Sequence, residues 1–437
     1  MLRNRNFYSI RFYLGSWIFI LFLSFLIPAR PTSKAFIQAI LLCALYVISS
    51  AAIATISYCL LDSKICQLRF NRQLRSRHLN CKDLIFLVRF SCFLSVLGIC
   101  LILYDRIFIQ GIDYTAGIAS AREQWRVLGE QRQGISSLAS FLGNILSPFC
   151  FIPTALIHLH YEKLKGKDKY IGLSVGITNL FLICLLSGGR SSLLLQISIT
   201  ISICLMRNIS SKLPFFPGSK NLRLIIPSVL FILVLIYSTY IFFSRAAISD
   251  VTAKVYSLGF IEYLGGRETQ SFHQIEYLDE PLKSITYLST VTLAYLVHSL
   301  WTFGILLDSI IFSPGSFSFV YLKSLLAKLS LATAPEAVLD ELQGRFLPLP
   351  GILWYDIRYF FVIASIIHGF CLGLANVMVV RLRLDGLKFA FIISVFSITF
   401  LSPFCFAINL YAFPFVMFSC IFMHSVMILL GRKIYWL

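Results

Sequence analysis

Long uninterrupted runs of apolar residues recur along this chain, and short polar segments separate them. About 20 apolar residues in a helix are enough to cross the hydrocarbon core of a bilayer. Membrane-spanning β-barrels instead show ten-residue segments in which apolar and polar residues alternate. The pattern therefore predicts an all-α polytopic membrane protein with about ten transmembrane helices. The predicted spans cover residues 11–28, 35–61, 84–104, 136–158, 170–188, 191–206, 224–243, 356–380, 389–408 and 411–430.

Two longer segments, residues 105–135 and 244–355, connect predicted spans on the same side of the membrane. The second contains an apolar stretch, residues 285–331, that either crosses the membrane twice or forms a re-entrant or surface-lying helix pair. Amphipathic helices commonly lie on a membrane surface, and two lysines and a proline in the second half of this stretch favour that alternative. We therefore predict one integral membrane domain over residues 1–437, with a helix pair in its large loop.

Composition supports the membrane assignment, and the distribution of charge between the loops predicts how the protein is oriented in the membrane. Of 437 residues, 58% are hydrophobic and only 13% are charged, which is about half the charged fraction of a soluble domain. Of the 38 lysines and arginines, 22 lie in six loops on one side of the predicted bundle, together with only five acidic residues. Cytoplasmic loops carry such an excess. The prediction places both termini in the cytoplasm and residues 105–135 and 244–355 on the opposite, outer face.

The net charge of +18 therefore belongs mainly to the cytoplasmic side, where it favours contact with the anionic headgroups of the lipid bilayer. A nucleic-acid-binding protein would need a folded basic domain, whereas the longest predicted cytoplasmic loop, residues 62–83, is short. We predict no nucleic-acid partner. The cysteines and histidines show no metal-ligand spacing, so we predict no metal site either.

The sharpest local motif joins two spans and reads Ser187-Gly188-Gly189-Arg190-Ser191-Ser192. Glycines allow a tight reversal of the chain and let a ligand approach the backbone. Arg190 would then lie at the depth of a lipid phosphate. The motif fits either a phosphate contact or a tight turn whose arginine reaches up to the interface.

Arginine is also frequent in the predicted outer loops, although the positive-inside bias works against it there. Arg122 and Arg126 are four residues apart, so on a helix they share a face and repel each other unless an anion lies between them. Arg245 follows a span directly, and Arg267 follows two glycines. Guanidinium groups match phosphate oxygens well. Ion pairs with outer acidic residues are the alternative.

His298 lies in the segment Tyr295-Leu296-Val297-His298, within the apolar stretch of the large loop. An imidazole with an ordinary pKa of about 6.5 is a suitable general base. A single histidine on an apolar helix can equally be a structural residue. Both interpretations stay open at this point.

The layout of spans and loops resembles that of the oligosaccharide repeat-unit polymerases of the O-antigen (Wzy) type. Three segments carry the resemblance at the level of motifs: Ser187–Ser192, Tyr295–Leu300 and Pro350–Phe361. The resemblance implies a GT-C-like helical fold in a bacterial inner membrane, with the reaction on the periplasmic face. It implies an undecaprenyl-diphosphate-linked oligosaccharide as substrate, no cofactor, and a chain-length regulator protein as a candidate partner.

Within this resemblance, Arg190 and Arg245 would stabilise the departing diphosphate, and His298 would accept the proton of the attacking hydroxyl. Two alternatives remain. A ligase that moves finished glycan onto a lipid A core could use the same groups, and a flippase would need polar residues along its spans. The residues expected to bind substrate are Arg122, Arg126, Gly188, Gly189, Arg267 and Tyr295.

Overall fold

The computed structural model describes most of the chain. The described residues are 7–69, 81–131, 137–187, 191–211, 213–217, 232, 236–237, 239–247, 250–309, 318, 345–381, 384–410 and 412–431. In chain order, their regular elements are α1 (Tyr8–Leu26), β1 (Ala29–Pro31), α2 (Phe36–Arg69), α3 (Cys81–Tyr104), α4 (Ile118–Gln131), α5 (Leu138–Leu146), α6 (Phe151–Leu159), α7 (Gly166–Ser187), α8 (Ser191–Ser211), α9 (Ala253–Tyr263), β2 (Gly266–Glu268), α10 (Gln270–His273), α11 (Leu282–Asp308), α12 (Leu349–Ile357), α13 (Phe361–Arg381), α14 (Gly386–Leu401) and α15 (Ala412–Leu429).

Nine helical segments within the described residues are long and apolar enough to cross a membrane. Eight of them coincide with predicted spans, and the ninth is α11. The chain is thus an all-α multi-pass membrane protein, as the apolar runs predicted. The predicted span at residues 224–243 lies mostly outside the described residues.

The predicted span at residues 389–408 is wrong in its second half. The helix is α14, which has 16 residues and ends at Leu401, and a separate short 3-10 turn follows at Ala407–Asn409. Pro403 comes two residues after the end of α14. Proline has no N–H, so it cannot donate the next hydrogen bond of the helix. The sequence stays apolar past residue 401, but the helix ends there.

The apolar stretch of the large loop begins with one continuous helix. α11 has 27 residues and is largely buried. Near its C-terminal end, Gly304 lies against Ser33, in the connection between α1 and α2, and against Phe36, the first residue of α2. The N-terminal part of α11 packs on α9 and on the turn before α11. Residues 310–317 and 319–344 lie outside the described residues. The re-entrant or surface-lying helix pair therefore stays a prediction.

The two ends of the helical bundle differ in their polar contacts. At one end, three arginines join helices by ion pairs: Arg89 binds Asp168 at 2.8 Å, Arg207 binds Glu162 at 2.7 Å, and Arg381 binds Asp62 at 2.9 Å. We call this the ion-pair end. The opposite end carries β1 and β2, and we call it the ribbon end. By the charge of its loops, the ion-pair end is the predicted cytoplasmic one.

This orientation gives the first testable prediction. In a variant without native cysteines, a cysteine at Ser271, exposed at the ribbon end, should react in intact cells with a membrane-impermeant thiol reagent. A cysteine at Lys167, exposed at the ion-pair end, should react only after permeabilisation. Labelling in the reverse order would invert the topology.

Helices α2 and α13 pack closely against each other, and a glycine permits this. A side chain at Gly373 would place its Cβ 2.7 Å from the Ala54 carbonyl oxygen and 2.8 Å from Ser57 Cβ. Small residues allow membrane helices to approach in this way. Gly373→Leu should therefore destabilise the fold by about 3 kcal/mol, near the upper end of overpacking penalties, and lower the unfolding temperature in detergent. Gly15→Leu is the matched control, since Gly15 has no neighbour within 4 Å, and should leave that temperature nearly unchanged.

Candidate functional site

The ribbon end is built around a short antiparallel pairing of β1 with β2. Ala29 pairs with Glu268, Arg30 with Arg267, and Pro31 with Gly266. β1 begins three residues after α1 ends, so the chain leaves the first predicted span directly into this ribbon. β2 lies in the large loop between α9 and α10. The pairing therefore fixes the large loop to the membrane bundle.

Two glycines hold the ribbon against α11. Gly266 lies on the indole of Trp301, where an added Cβ would lie 2.6 Å from the ring. Gly265 has a φ of +84°, which a residue with a side chain rarely adopts, and it packs on Ile305. Trp301 is completely buried and lies three residues after His298. Arg267 is thus carried on the same rigid unit as His298.

His298 is held by backbone groups on both ring nitrogens. Its Nε2 accepts a hydrogen bond from the Phe346 backbone N–H at 3.0 Å. Nδ1 lies 2.6 Å from the Tyr295 carbonyl oxygen, so Nδ1 carries the proton and donates it. The side chain is 1% exposed. In this arrangement His298 joins α11 to the segment before α12, and it could act as a base only after Phe346 moves away from Nε2.

Tyr295 belongs to an aromatic cluster rather than to an open surface. Its ring stacks on His298 with centroids 4.8 Å apart and also contacts Phe242, Phe260 and Phe346. Phe242 lies in a helical segment, residues 239–247. The cluster therefore brings this segment, α9 and α11 together.

Arg245 follows Phe242 by three residues, about one helical turn, so it lies close to the cluster that holds Tyr295 and His298. Within the part of the chain that the structure describes, Arg245, Arg267 and Arg30 form no ion pair and no side-chain hydrogen bond. This distinguishes them from the three paired arginines of the ion-pair end. Four of the predicted catalytic and binding residues have described side chains. Two of them, Tyr295 and His298, belong to this cluster, and Arg245 and Arg267 lie on segments that pack against it.

Lysines supply the ion pairs that stabilise this unit. Lys254 of α9 and Lys283 of α11 both bind Glu276, the latter at 2.9 Å. These two ammonium groups lower the pKa of Glu276 to about 2. The carboxylate therefore stays charged at any physiological pH and keeps α9 fixed to α11.

The first outer loop forms a second group of candidate residues. Arg122 and Arg126 lie on α4, as predicted for a shared helix, but their side chains lie outside the described residues. Trp125 lies between them, and its ring packs under the Arg106 guanidinium at 4.5 Å. Gly188, Gly189 and Arg190 also lie outside the described residues, so their predicted roles stay predictions.

Arg106 is a residue that the motifs did not reveal. It is 8% exposed, and it donates a hydrogen bond to the Leu186 carbonyl oxygen, two residues before the Gly-Gly-Arg motif. Together with the Trp125 contact, this bond joins α4 to the C-terminal end of α7. One sequence signal was present, since Asp105-Arg106 places two charges directly after a long apolar run.

Arg345 was also not predicted from the sequence. Its guanidinium lies 4.9 Å from the centre of the Tyr263 ring, beside Gly265 and next to Phe346, the residue that binds His298. No group of histidine, cysteine and acidic residues with metal-binding geometry occurs within the residues described.

Arg30 and Arg267 are exposed at the ribbon end, and their guanidinium groups carry hydrogen-bond donors that suit an anion. Comparison with models of known protein families, with curated proteins and with solved structures found no match for this chain.

Proposed function

We propose that this protein is a membrane glycosyltransferase that polymerises undecaprenyl-diphosphate-linked oligosaccharide repeat units on the outer face of a bacterial inner membrane. The proposal combines the resemblance in three short segments with the chemistry available at the ribbon end. The growing glycan on its lipid diphosphate is the donor, and a new lipid-linked repeat unit is the acceptor.

The reaction breaks the bond between the anomeric carbon of the donor and its diphosphate oxygen. A bond forms between that carbon and a hydroxyl oxygen of the acceptor sugar. The hydroxyl proton passes to a base, and the electron pair of the broken bond stays on the departing lipid diphosphate. The donor bond is already activated, so the charge that needs stabilisation is that of the diphosphate.

One observation carries the proposal. Arg245 and Arg267 have no carboxylate partner within the described residues, although arginines at the opposite end are ion-paired. An arginine without an internal partner, placed where a membrane ends, keeps its guanidinium donors available for an external anion. Fixed positive groups that meet developing negative charge are often the largest single contribution to catalysis.

The test is reconstitution. The purified chain in liposomes should convert lipid-diphosphate-linked repeat units into a ladder of longer glycans without added nucleotide or metal. Arg245→Gln should abolish the ladder, whereas Lys34→Gln, which removes one exposed positive charge from the same end, should preserve it. A parent protein that forms no ladder from intact repeat units would refute the proposal.

Cells that lack the protein distinguish the alternatives. A polymerase deletion should leave lipopolysaccharide with one repeat unit on its core. Core without any repeat unit would instead indicate a ligase or a flippase. The flippase alternative would further predict lipid-linked repeat units trapped in the cytoplasmic leaflet.

A further inference from the structure

Arg30, in the short connection between α1 and α2, lies directly opposite Arg267 across the β1–β2 ribbon. Both side chains are exposed. Residues opposite each other in an antiparallel pair point to the same face, with Cβ atoms about 5 Å apart, and like charges in such a pair are destabilising. The fold therefore holds two guanidinium groups side by side.

Among the described residues, no carboxylate compensates the charge of this pair. Within the described residues, neither arginine forms an ion pair or a side-chain hydrogen bond. Glu268 is the next residue along β2, but successive residues of a strand point to opposite faces. Its partner across the ribbon is Ala29, which is buried. Glu268 thus belongs to the other face of the ribbon.

The backbone that carries the two arginines is fixed on every side. Gly266 packs on the buried Trp301. Hydrogen bonds from Thr32 N–H to the Gly265 carbonyl oxygen, 3.0 Å, and from Thr269 N–H to the Pro28 carbonyl oxygen, 3.2 Å, extend the pairing beyond both ends of the ribbon. Arg30 follows Pro28 by two residues and precedes Pro31, and proline fixes φ. These contacts keep the two arginines opposite each other, and an anion between their side chains would relieve the repulsion.

We propose that Arg30 and Arg267 together form one binding site for a diphosphate ester. Each guanidinium can bind phosphate oxygens in a bidentate manner, so two adjacent guanidinium groups suit two linked phosphates. Arg30 lies four residues beyond the end of α1, close to the end of the first predicted span. The identity of the site's ligand, the lipid diphosphate, rests on the proposed function. Arg30 is thereby assigned as a substrate-binding residue in the connection between the first two spans.

The test uses the full chain in phosphatidylcholine nanodiscs, with farnesyl diphosphate as the probe and calorimetry as the measurement. Arg30→Gln and Arg267→Gln should each weaken binding about 10- to 100-fold, as expected for loss of charged hydrogen bonds. The double variant should bind little worse than either single one, because each guanidinium needs the other. Glu268→Gln is the matched control on the opposite face and should bind within two-fold of the parent. Single variants that bind like the parent would overturn the site.

Arg30→Lys and Arg267→Lys keep the charge and the folded ribbon but lose the bidentate geometry. Intermediate affinity in these variants, at unchanged unfolding temperature, supports the site even where a glutamine variant folds poorly. Parent-like affinity in both lysine variants would show that the pair acts only as general surface charge, and this would refute the proposed diphosphate site.

Two further comparisons identify the ligand. Farnesyl diphosphate should bind at least ten-fold more tightly than farnesyl monophosphate, and nanodiscs containing phosphatidylglycerol should not displace it. Displacement by phosphatidylglycerol would assign the pair to ordinary headgroups and overturn the diphosphate assignment. Arginine-dependent binding of farnesyl diphosphate without any glycan ladder would leave the site standing and refute only the polymerase function.

Discussion

Replacing Arg245 with lysine is expected to lower the initial rate of glycan polymerisation about 10²-fold, the usual cost of losing one group that stabilises transition-state charge. Lysine keeps the positive charge but offers a single ammonium in place of the planar guanidinium fork. Arg245 follows Phe242 by about one turn, and Phe242 packs on Tyr295. The substitution should therefore change the chemistry at a fixed position, with little effect on protein abundance or unfolding temperature.

Lys34→Gln is the control for long-range electrostatics, because it changes net charge by one at the same end of the bundle. Its rate should stay within about two-fold of the parent rate. If Arg245→Lys and Lys34→Gln retained equal, near-parent rates, Arg245 would be an ordinary interfacial arginine, and the site would have to lie nearer the first outer loop.

The sequence was sufficient for eight of the nine long apolar helices that the structure describes, because each apolar run can be interpreted separately from the rest of the chain. Where a local feature ended a helix, as at Ser402-Pro403, apolarity alone extended the span too far. The missed contacts are non-local. Arg106 donates to Leu186, which is 80 residues away, and His298 accepts from Phe346, 48 residues away. Nothing in the residues adjacent to either one specifies such a partner.

For the arginines, too, features of the adjacent sequence could be predicted, whereas contacts between distant segments could not. An anion contact was predicted at Arg245 because it directly follows a span, and at Arg267 because it follows two glycines. The pairing of Arg30 with Arg267 depends on strand register between segments more than 200 residues apart along the sequence. Hydrophobic periodicity cannot predict that register, because each strand has only three residues.

Substitution of His298 should separate catalysis from packing. As a base, His298 would be required for proton transfer, so His298→Ala and His298→Gln should both stop polymerisation, since glutamine cannot accept a proton near neutral pH. Both variants should still insert and still bind the lipid-linked substrate. The measurements are the length of the glycan ladder and the amount of folded protein in the membrane.

The observed hydrogen bonds of His298 favour a structural role, for which His298→Gln and His298→Ala should differ in their effects. His298 Nε2 accepts the Phe346 N–H, and a glutamine carbonyl oxygen can accept the same hydrogen bond. Alanine would leave that backbone donor without its acceptor, which costs about 1–3 kcal/mol in a buried site. If the role is structural, Gln should therefore retain most of the activity, whereas Ala should lose abundance and activity together. A Gln variant that folds like the parent but makes no polymer would show that the imidazole leaves Phe346 during the reaction and acts as the base.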